Sequence, residues 1–287
     1  MLAATALTSS GTGTASAAAA SSHGLRKAVK YTMVGGKGTV EEKFRLLKKL
    51  GFEGVDINRP LPHDEVRKAQ DATGLIVHGT VGYDHWRKPL SAADPEVRKQ
   101  GLESFIRYMK DAKAYGGTSA LLVPAVVSKD VSYGDAYKRS QAEIRKALRV
   151  AEEIEIQILI ENVWNNFLLS PVELARYIDE FDSPMIGSYF DIGNVVRFGW
   201  PEHWIAALGS RIRKLDIKEY STELQHSKGP RAGFGVKLGE GSVDWPVVMK
   251  SLAAIGFKGW ATAEVRGGDE ARLKEISERM DACFGDR

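Results

Sequence analysis

Several polar residues close short apolar runs in this chain, and their types are those of acid–base and metal chemistry: Asp56, His78, Glu161, Asp191, Asp216 with Lys218, and Glu264. Carboxylates are almost never buried unless they are paired or bound to a cation. Glu161, Asp191, Asp216 and Glu264 end four consecutive runs, and like charges gathered in a low dielectric repel strongly. A divalent cation relieves that repulsion best, with Lys218 as a helper. Asp216 and Lys218 are two residues apart, so an extended strand points both the same way.

The elements that must position these groups form eight repeats of a short β-rich run and a longer amphipathic one, punctuated by Gly or Pro. The spacing predicts strands over residues 28–34, 54–58, 75–80, 119–126, 157–162, 185–191, 212–218 and 260–264. Helices are predicted over 40–50, 64–72, 94–115, 133–153, 170–181, 202–208, 245–255 and 269–284, with Asp94-Pro95 and Ser170-Pro171 as start signals. Strict alternation implies parallel strands with right-handed crossovers. Near-continuous apolar runs fit strands covered on both faces. Eight units in about 260 residues predict an α/β fold, a single-domain (β/α)8 TIM barrel with its active site at the C-terminal strand ends. The rival open doubly wound sheet lacks its fingerprint, because Val34-Gly35-Gly36-Lys37-Gly38 does not have the G-x-G-x-x-G spacing.

Composition narrows the function classes. The chain has 287 residues, 43% hydrophobic and 27% charged, with 40 basic against 37 acidic side chains, which fits a globular protein and gives no nucleic-acid footprint. No apolar run approaches the roughly 18 residues of a membrane span. The single cysteine, Cys283, excludes an intrachain disulfide framework and multi-cysteine metal sites. Residues 1–24 are read apart from the barrel at 25–287: the first 22 are Ala, Ser, Thr and Gly-rich without a charge. They are expected to be disordered, as a tail or a truncated secretion leader with Ala-x-Ala candidates but no positive n-region. A leader would make the protein periplasmic or exported; a tail would leave it cytoplasmic.

The segments Glu161-Asn162-Val163-Trp164-Asn165, Phe190-Asp191-Ile192-Gly193-Asn194, Gly239-Glu240-Gly241-Ser242-Val243-Asp244-Trp245 and Trp260-Ala261-Thr262-Ala263-Glu264-Val265 carry a resemblance. With them the chain resembles the xylose isomerase-like barrel superfamily, in its sugar phosphate isomerase and epimerase branch, over essentially everything after His23. The resemblance implies one divalent metal held by a Glu, an Asp, a His and a Glu on strands five to eight. Glu161, Asp191 and Glu264 match; the seventh-strand His-x-Lys-Asp reads Asp216-Ile217-Lys218-Glu219 here, so Asp216 stands for the histidine. The resulting all-oxygen set favours Mn²⁺ first and Mg²⁺ second, with Co²⁺ or Zn²⁺ kept open.

On that resemblance the expected activity is sugar isomerisation or epimerisation. Glu161 and Glu264 act as base and acid on a proton next to a carbonyl, through an enediolate. His78, His85, Trp86, Asn162, Trp164, Asn194, Lys218 and Arg231 are the candidate substrate contacts. Each has an ordinary structural role as its alternative: core packing for His78 and Trp164, loop anchoring for Trp86, metal-site support for the asparagines. Residues 225–238 are read as a solvated loop that can serve as a mobile lid, and Glu240 as part of a loop-structuring motif. A lyase or dehydratase acting on a keto-sugar or inosose shares the proton abstraction, as does a hydroxypyruvate isomerase-like enzyme. A non-catalytic carbohydrate-binding barrel is the third reading. The related DNA-repair endonucleases need a histidine-rich three-zinc cluster, and six histidines make that improbable. The expected partners are a small sugar or keto-sugar, neutral because no phosphate cradle is recognisable, and further copies of the chain in a homo-oligomer, with neither nucleic acid nor membrane.

Overall fold

The computed structural model describes residues 24–285. The leader or tail expected at the N-terminus lies outside the described residues, apart from Gly24. Eight parallel strands close into a barrel in chain order. They are β1 (Leu25–Lys30), β2 (Gly54–Ile57), β3 (Ile76–Val81), β4 (Ser119–Leu122), β5 (Gln157–Glu161), β6 (Ile186–Asp191), β7 (Ile212–Ile217) and β8 (Gly259–Ala263). Pairing of β8 with β1, from Leu25↔Gly259 to Val29↔Ala263, completes the ring.

The helices α1 (Val40–Lys49), α2 (His63–Thr73), α3 (Pro95–Ala114), α4 (Tyr133–Ile154) and α5 (Pro171–Asp179) follow the first five strands. Next come α6 (Ile192–Val196), α7 (Pro201–Leu208), α8 (Thr222–Lys228), α9 (Trp245–Ala254) and α10 (Glu270–Phe284). Their starts obey local chemistry. Thr39 with Glu42 and Ser170 with Glu173 form reciprocal capping boxes, and Asp94 and Asp269 accept from the first-turn N–H groups. The main core lies between sheet and helices. Inside the barrel, a small apolar plug of Leu121, Leu159 and Tyr189 shares the space with buried Lys30, Asp56, His78, Lys214 and Thr262. Branched aliphatic side chains usually fill such a barrel, so this polar interior needs a reason. Among the described residues no helix is long and apolar enough to cross a membrane.

Three expectations about elements are corrected. The first strand was expected at 28–34 but spans Leu25–Lys30, and Tyr31–Met33 turn as a 3₁₀ segment. The charged Arg26 and Lys27 disguise its start. Arg26 stacks on Trp260 at 3.9 Å from the ring centroid on the inner face, whereas Lys27, pointing the other way, reaches Ser277 and Asp281 on α10. The fourth strand stops at Leu122 rather than 126. The expected lid is largely regular: it holds the end of α8 and a 3₁₀ segment, Pro230–Gly235. Tyr220 ties that segment down through its hydroxyl, which contacts Gln225 Oε1 and the Pro230 carbonyl.

Candidate active site

Strand ends bring the four acidic residues together. Glu161 and Asp191 are the last residues of β5 and β6, Asp216 is the penultimate residue of β7, and Glu264 follows β8. Asp191 and Asp216 are register partners, and the Glu264 N–H donates to the Ile217 carbonyl. One oxygen from each of the four carboxylates lies within 4.8 Å of the others. Asp191 and Asp216 are 0% exposed and Glu161 6%. Glu264 opens to the cavity above.

Two lysines enter this cluster. Lys218 Nζ is 2.6 Å from Asp191 Oδ2 and 2.9 Å from Glu264 Oε2. From below, Lys30 Nζ donates to Asp216 Oδ2 at 3.0 Å and lies 2.8 Å from Oδ1. Even so, Asp191 Oδ2, Asp216 Oδ1 and Glu264 Oε2 accept no aligned hydrogen bond. Each of these oxygens has a lysine ammonium beside it, but four carboxylates against two ammonium groups leave the cluster short of positive charge that a cation would supply. Hard oxygen donors at this spacing suit a divalent cation such as Mn²⁺ or Mg²⁺.

The electrostatics are those of crowded anions. Burial, then the neighbouring Glu264, pushes the Glu161 carboxyl well above the usual carboxylate range. Burial does the same to Asp216 against the opposing pull of Lys30, and raises Asp191 against Lys218. Glu264 behaves differently: burial acts to raise it, but Lys218 and Lys30 together outweigh burial and hold it below its ordinary value. The two glutamates facing the cavity are therefore pushed in opposite directions.

Neighbouring amides hold the ligands in place. Asn162 Oδ1 accepts from the Asp191 N–H and its Nδ2 donates to the Asp191 carbonyl, both at 2.8 Å. Asn194 Nδ2 donates to the Asn162 carbonyl at 3.0 Å, and the Asn194 N–H donates to Asp191 Oδ1 at 2.7 Å. Gly193 lets this turn meet β7, since a Cβ there would lie 2.8 Å from the Lys218 backbone. Glu219, which closes the Asp216–Glu219 segment, accepts from the N–H groups of Tyr220, Gly239 and Val243 and from Trp245 Nε1. It thus ties the Gly239–Trp245 motif to the barrel. Glu240 in the same motif pairs with Arg279 on α10.

Above the carboxylates opens a cavity of about 1180 Å³. Among the candidates from sequence, Glu161, Glu264, Lys218, His85, Trp86, Trp164, Asn194 and Arg231 line it. Trp86 is 49% exposed. Trp164 packs against Phe234 at 4.8 Å between ring centroids and donates through Nε1 to the Asn194 carbonyl. Burial lowers His85 to about 4, so it is neutral near pH 7; its Nδ1 accepts from the Val123 N–H at 3.4 Å, leaving the proton on Nε2. Arg231 and Arg266 face the cavity without a carboxylate partner among the described residues.

The structure does not bring His78 to the mouth, which corrects its reading as a substrate contact. Strand β3 runs on to Val81, so His78 lies three residues below the exit. It is 1% exposed, stacked on Trp260 at 4.4 Å, and within reach of Thr262 Oγ1, Lys214 Nζ and Asp56 Oδ1 at 3.2, 3.0 and 3.2 Å. Asp56 belongs to the same network, with the Tyr189 hydroxyl donating to it at 2.6 Å. Burial opposes its ionisation, but His78 and Lys30 hold it down at about 2. Sequence reasoning missed Lys30, Lys214, Phe234 and Arg266. A lysine closing an apolar strand was the available signal for Lys30, obscured by the misplaced first strand.

Residues 44–283 match the family described as xylose isomerase-like TIM barrel. L-ribulose-5-phosphate 3-epimerase UlaE of Escherichia coli O1:K1 / APEC is 24% identical over 266 residues, covering 83% of this chain and 89% of that protein. Among solved structures, 3-keto-D-glucoside 4-epimerase YcjR from E. coli is similar with a TM-score of 0.75 at 18% identity, covering 91% of this chain and 99% of that one. An L-ribulose 3-epimerase gives 0.76 at 15% identity, covering 91% and 95%. D-psicose 3-epimerase from Clostridium cellulolyticum H10, solved with D-tagatose, gives 0.71 at 15% identity, covering 91% and 97%.

Proposed function

The chain belongs to the xylose isomerase-like TIM barrel family, and from that premise we propose that it is a divalent-metal-dependent sugar epimerase or isomerase. The observation that carries this reading is the convergence of four strand-end carboxylates beneath a large cavity. Glu161, Asp191, Asp216 and Glu264 would hold the cation, Mn²⁺ before Mg²⁺, which supplies Lewis acidity toward neighbouring carbonyl and hydroxyl oxygens of a keto-sugar. Sugar epimerase relatives of matching length support the same class.

Glu264, held ionised by Lys218 and Lys30, takes the proton from the carbon beside the carbonyl. The electron pair left behind delocalises onto the carbonyl oxygen as an enediolate. Glu161, on the other side of the cavity, carries a solvent-derived proton to the opposite face of the same carbon, which inverts it. Delivery to the adjacent carbon gives aldose–ketose isomerisation instead. The His85 Nε2–H donates to a substrate hydroxyl, and Trp86 and Trp164 offer flat faces to sugar C–H groups.

The cavity exceeds the usual span of about 300–1,000 Å³ for small-ligand sites, and Arg231 with Arg266 supplies unneutralised positive charge beside it. That arrangement favours a sugar carrying a phosphate or another acidic group over the neutral sugar expected from sequence. The named substrate of the curated relative, a 5-phosphate, is of that kind. Incubation of the Mn²⁺-loaded protein with free and phosphorylated ketoses in D₂O tests the reading. Inverted product carrying one deuterium supports it, loss of water identifies a lyase, and tight binding without exchange identifies a non-catalytic barrel.

A further inference from the structure

In the chemistry above Lys30 enters only as a positive charge acting on Glu264 from a distance, yet it is a lysine 2% exposed inside a barrel. Its ammonium is close to both oxygens of Asp216, at 2.8 and 3.0 Å, across the barrel from β1 to β7. Its remaining surroundings are Asp56 Oδ2 at 3.5 Å and the Tyr189 ring at 4.4 Å. Asp56 is its more distant partner and has further support of its own, since it receives the Tyr189 hydroxyl and faces His78, which Lys214 contacts in turn. Asp216 has no other cationic neighbour within ion-pair distance among the described residues. Both of its oxygens are buried, and one accepts no aligned hydrogen bond.

A charge balance points the same way. Four carboxylates meet at the mouth, with Lys218 against two and Lys30 against a third. These two lysines leave two negative charges, the complement of one divalent ion. The Asp56 and Lys214 charges lie lower in the barrel and offset one another. Without Lys30, a fourth buried carboxylate would stand among three others with no counter-charge within ion-pair distance.

We propose that Lys30 is the positioning residue for Asp216: it orients the Asp216 carboxylate from beneath and balances its charge, which is what allows an aspartate to serve as the seventh-strand ligand. This inference rests on the reading of the four carboxylates as a cation site. A neutral ligand at position 216 would need no such partner, and the ammonium beneath it would then repel an incoming cation. The effect of removing Lys30 therefore changes sign with the residue at 216.

The test is Mn²⁺ titration followed by electron paramagnetic resonance, with ion-free thermal melts as a folding control. Lys30→Met should weaken Mn²⁺ binding about ten- to hundredfold, the usual cost of removing a group that supports a metal ligand. In the Asp216→His background the same change should tighten binding severalfold, an inversion that loss of packing would not produce. That second pair keeps the question open to measurement even if Lys30→Met alone fails to fold. Equal losses in both backgrounds, or no loss in either, would overturn the role of Lys30 while leaving the metal site standing. A wild-type protein that binds no Mn²⁺ would overturn the metal reading and this inference with it.

Discussion

Asn162 and Asp191 exchange two hydrogen bonds of 2.8 Å, side chain to main chain, between the exits of β5 and β6. The amide thereby sets the backbone that aims the Asp191 carboxylate at its three acidic neighbours. Asn162→Ala should leave every proposed ligand in the chain yet lower Mn²⁺ affinity by about ten- to hundredfold. Isothermal titration of the two proteins checks this; an unchanged affinity would show that the clamp serves folding only.

The two cavity glutamates should differ in what their loss does to isotope exchange. With saturating Mn²⁺, Glu264→Gln should reduce turnover by about 10²–10⁴-fold and abolish deuterium uptake into the epimer whose C–H faces Glu264. Glu161→Gln should also stop inversion, but one epimer, the one whose C–H faces Glu264, should still exchange. Nuclear magnetic resonance of each epimer in D₂O reads both outcomes. Undiminished exchange in Glu264→Gln would remove that residue from the acid–base role.

Cation binding should strengthen as pH rises. Burial keeps Glu161 and Asp216 protonated above their ordinary range in the ion-free protein, so an entering cation must displace those protons. Because their folded-state values are raised, these groups favour the ion-free fold at low pH, and that contribution is lost as pH climbs through the raised values. The increase in melting temperature on adding MnCl₂ should therefore grow between about pH 5 and pH 8, above the reference carboxylate values near 4. A stabilisation that stays flat or shrinks over that interval contradicts the arrangement.

Arg231 and Arg266 should report on substrate charge rather than on chemistry. Replacing both by Ala should raise KM for a phosphorylated or acidic sugar about tenfold or more with kcat little changed, the pattern of lost uniform binding. Neutral sugars should respond weakly. An equal change for charged and neutral substrates would argue against an anionic group near these arginines.

Much of this architecture could be read along the chain. Alternating strand-like and helix-like runs, Asp94-Pro95 and Ser170-Pro171, and the acidic residues ending apolar runs all express local preferences, and the barrel and the four carboxylates follow from them. The same rule erred at His78 and Asp56. A polar residue near a strand end can sit at the mouth or one layer down, and two or three residues of boundary error decide which. The error at the first strand hid Lys30 for the same reason.

By itself the sequence determined which elements form, in what order, and which of them end in acid, because hydrophobic periodicity and capping act over a few neighbouring residues. Only the closed barrel decided that Asp216 would meet Lys30, 186 positions away, that Lys218 would turn back between Asp191 and Glu264, and that Glu161 and Glu264 would be driven in opposite directions. Charge–charge energies depend on separation and burial, and both are set by how the strands register around the ring rather than by their spacing along the chain.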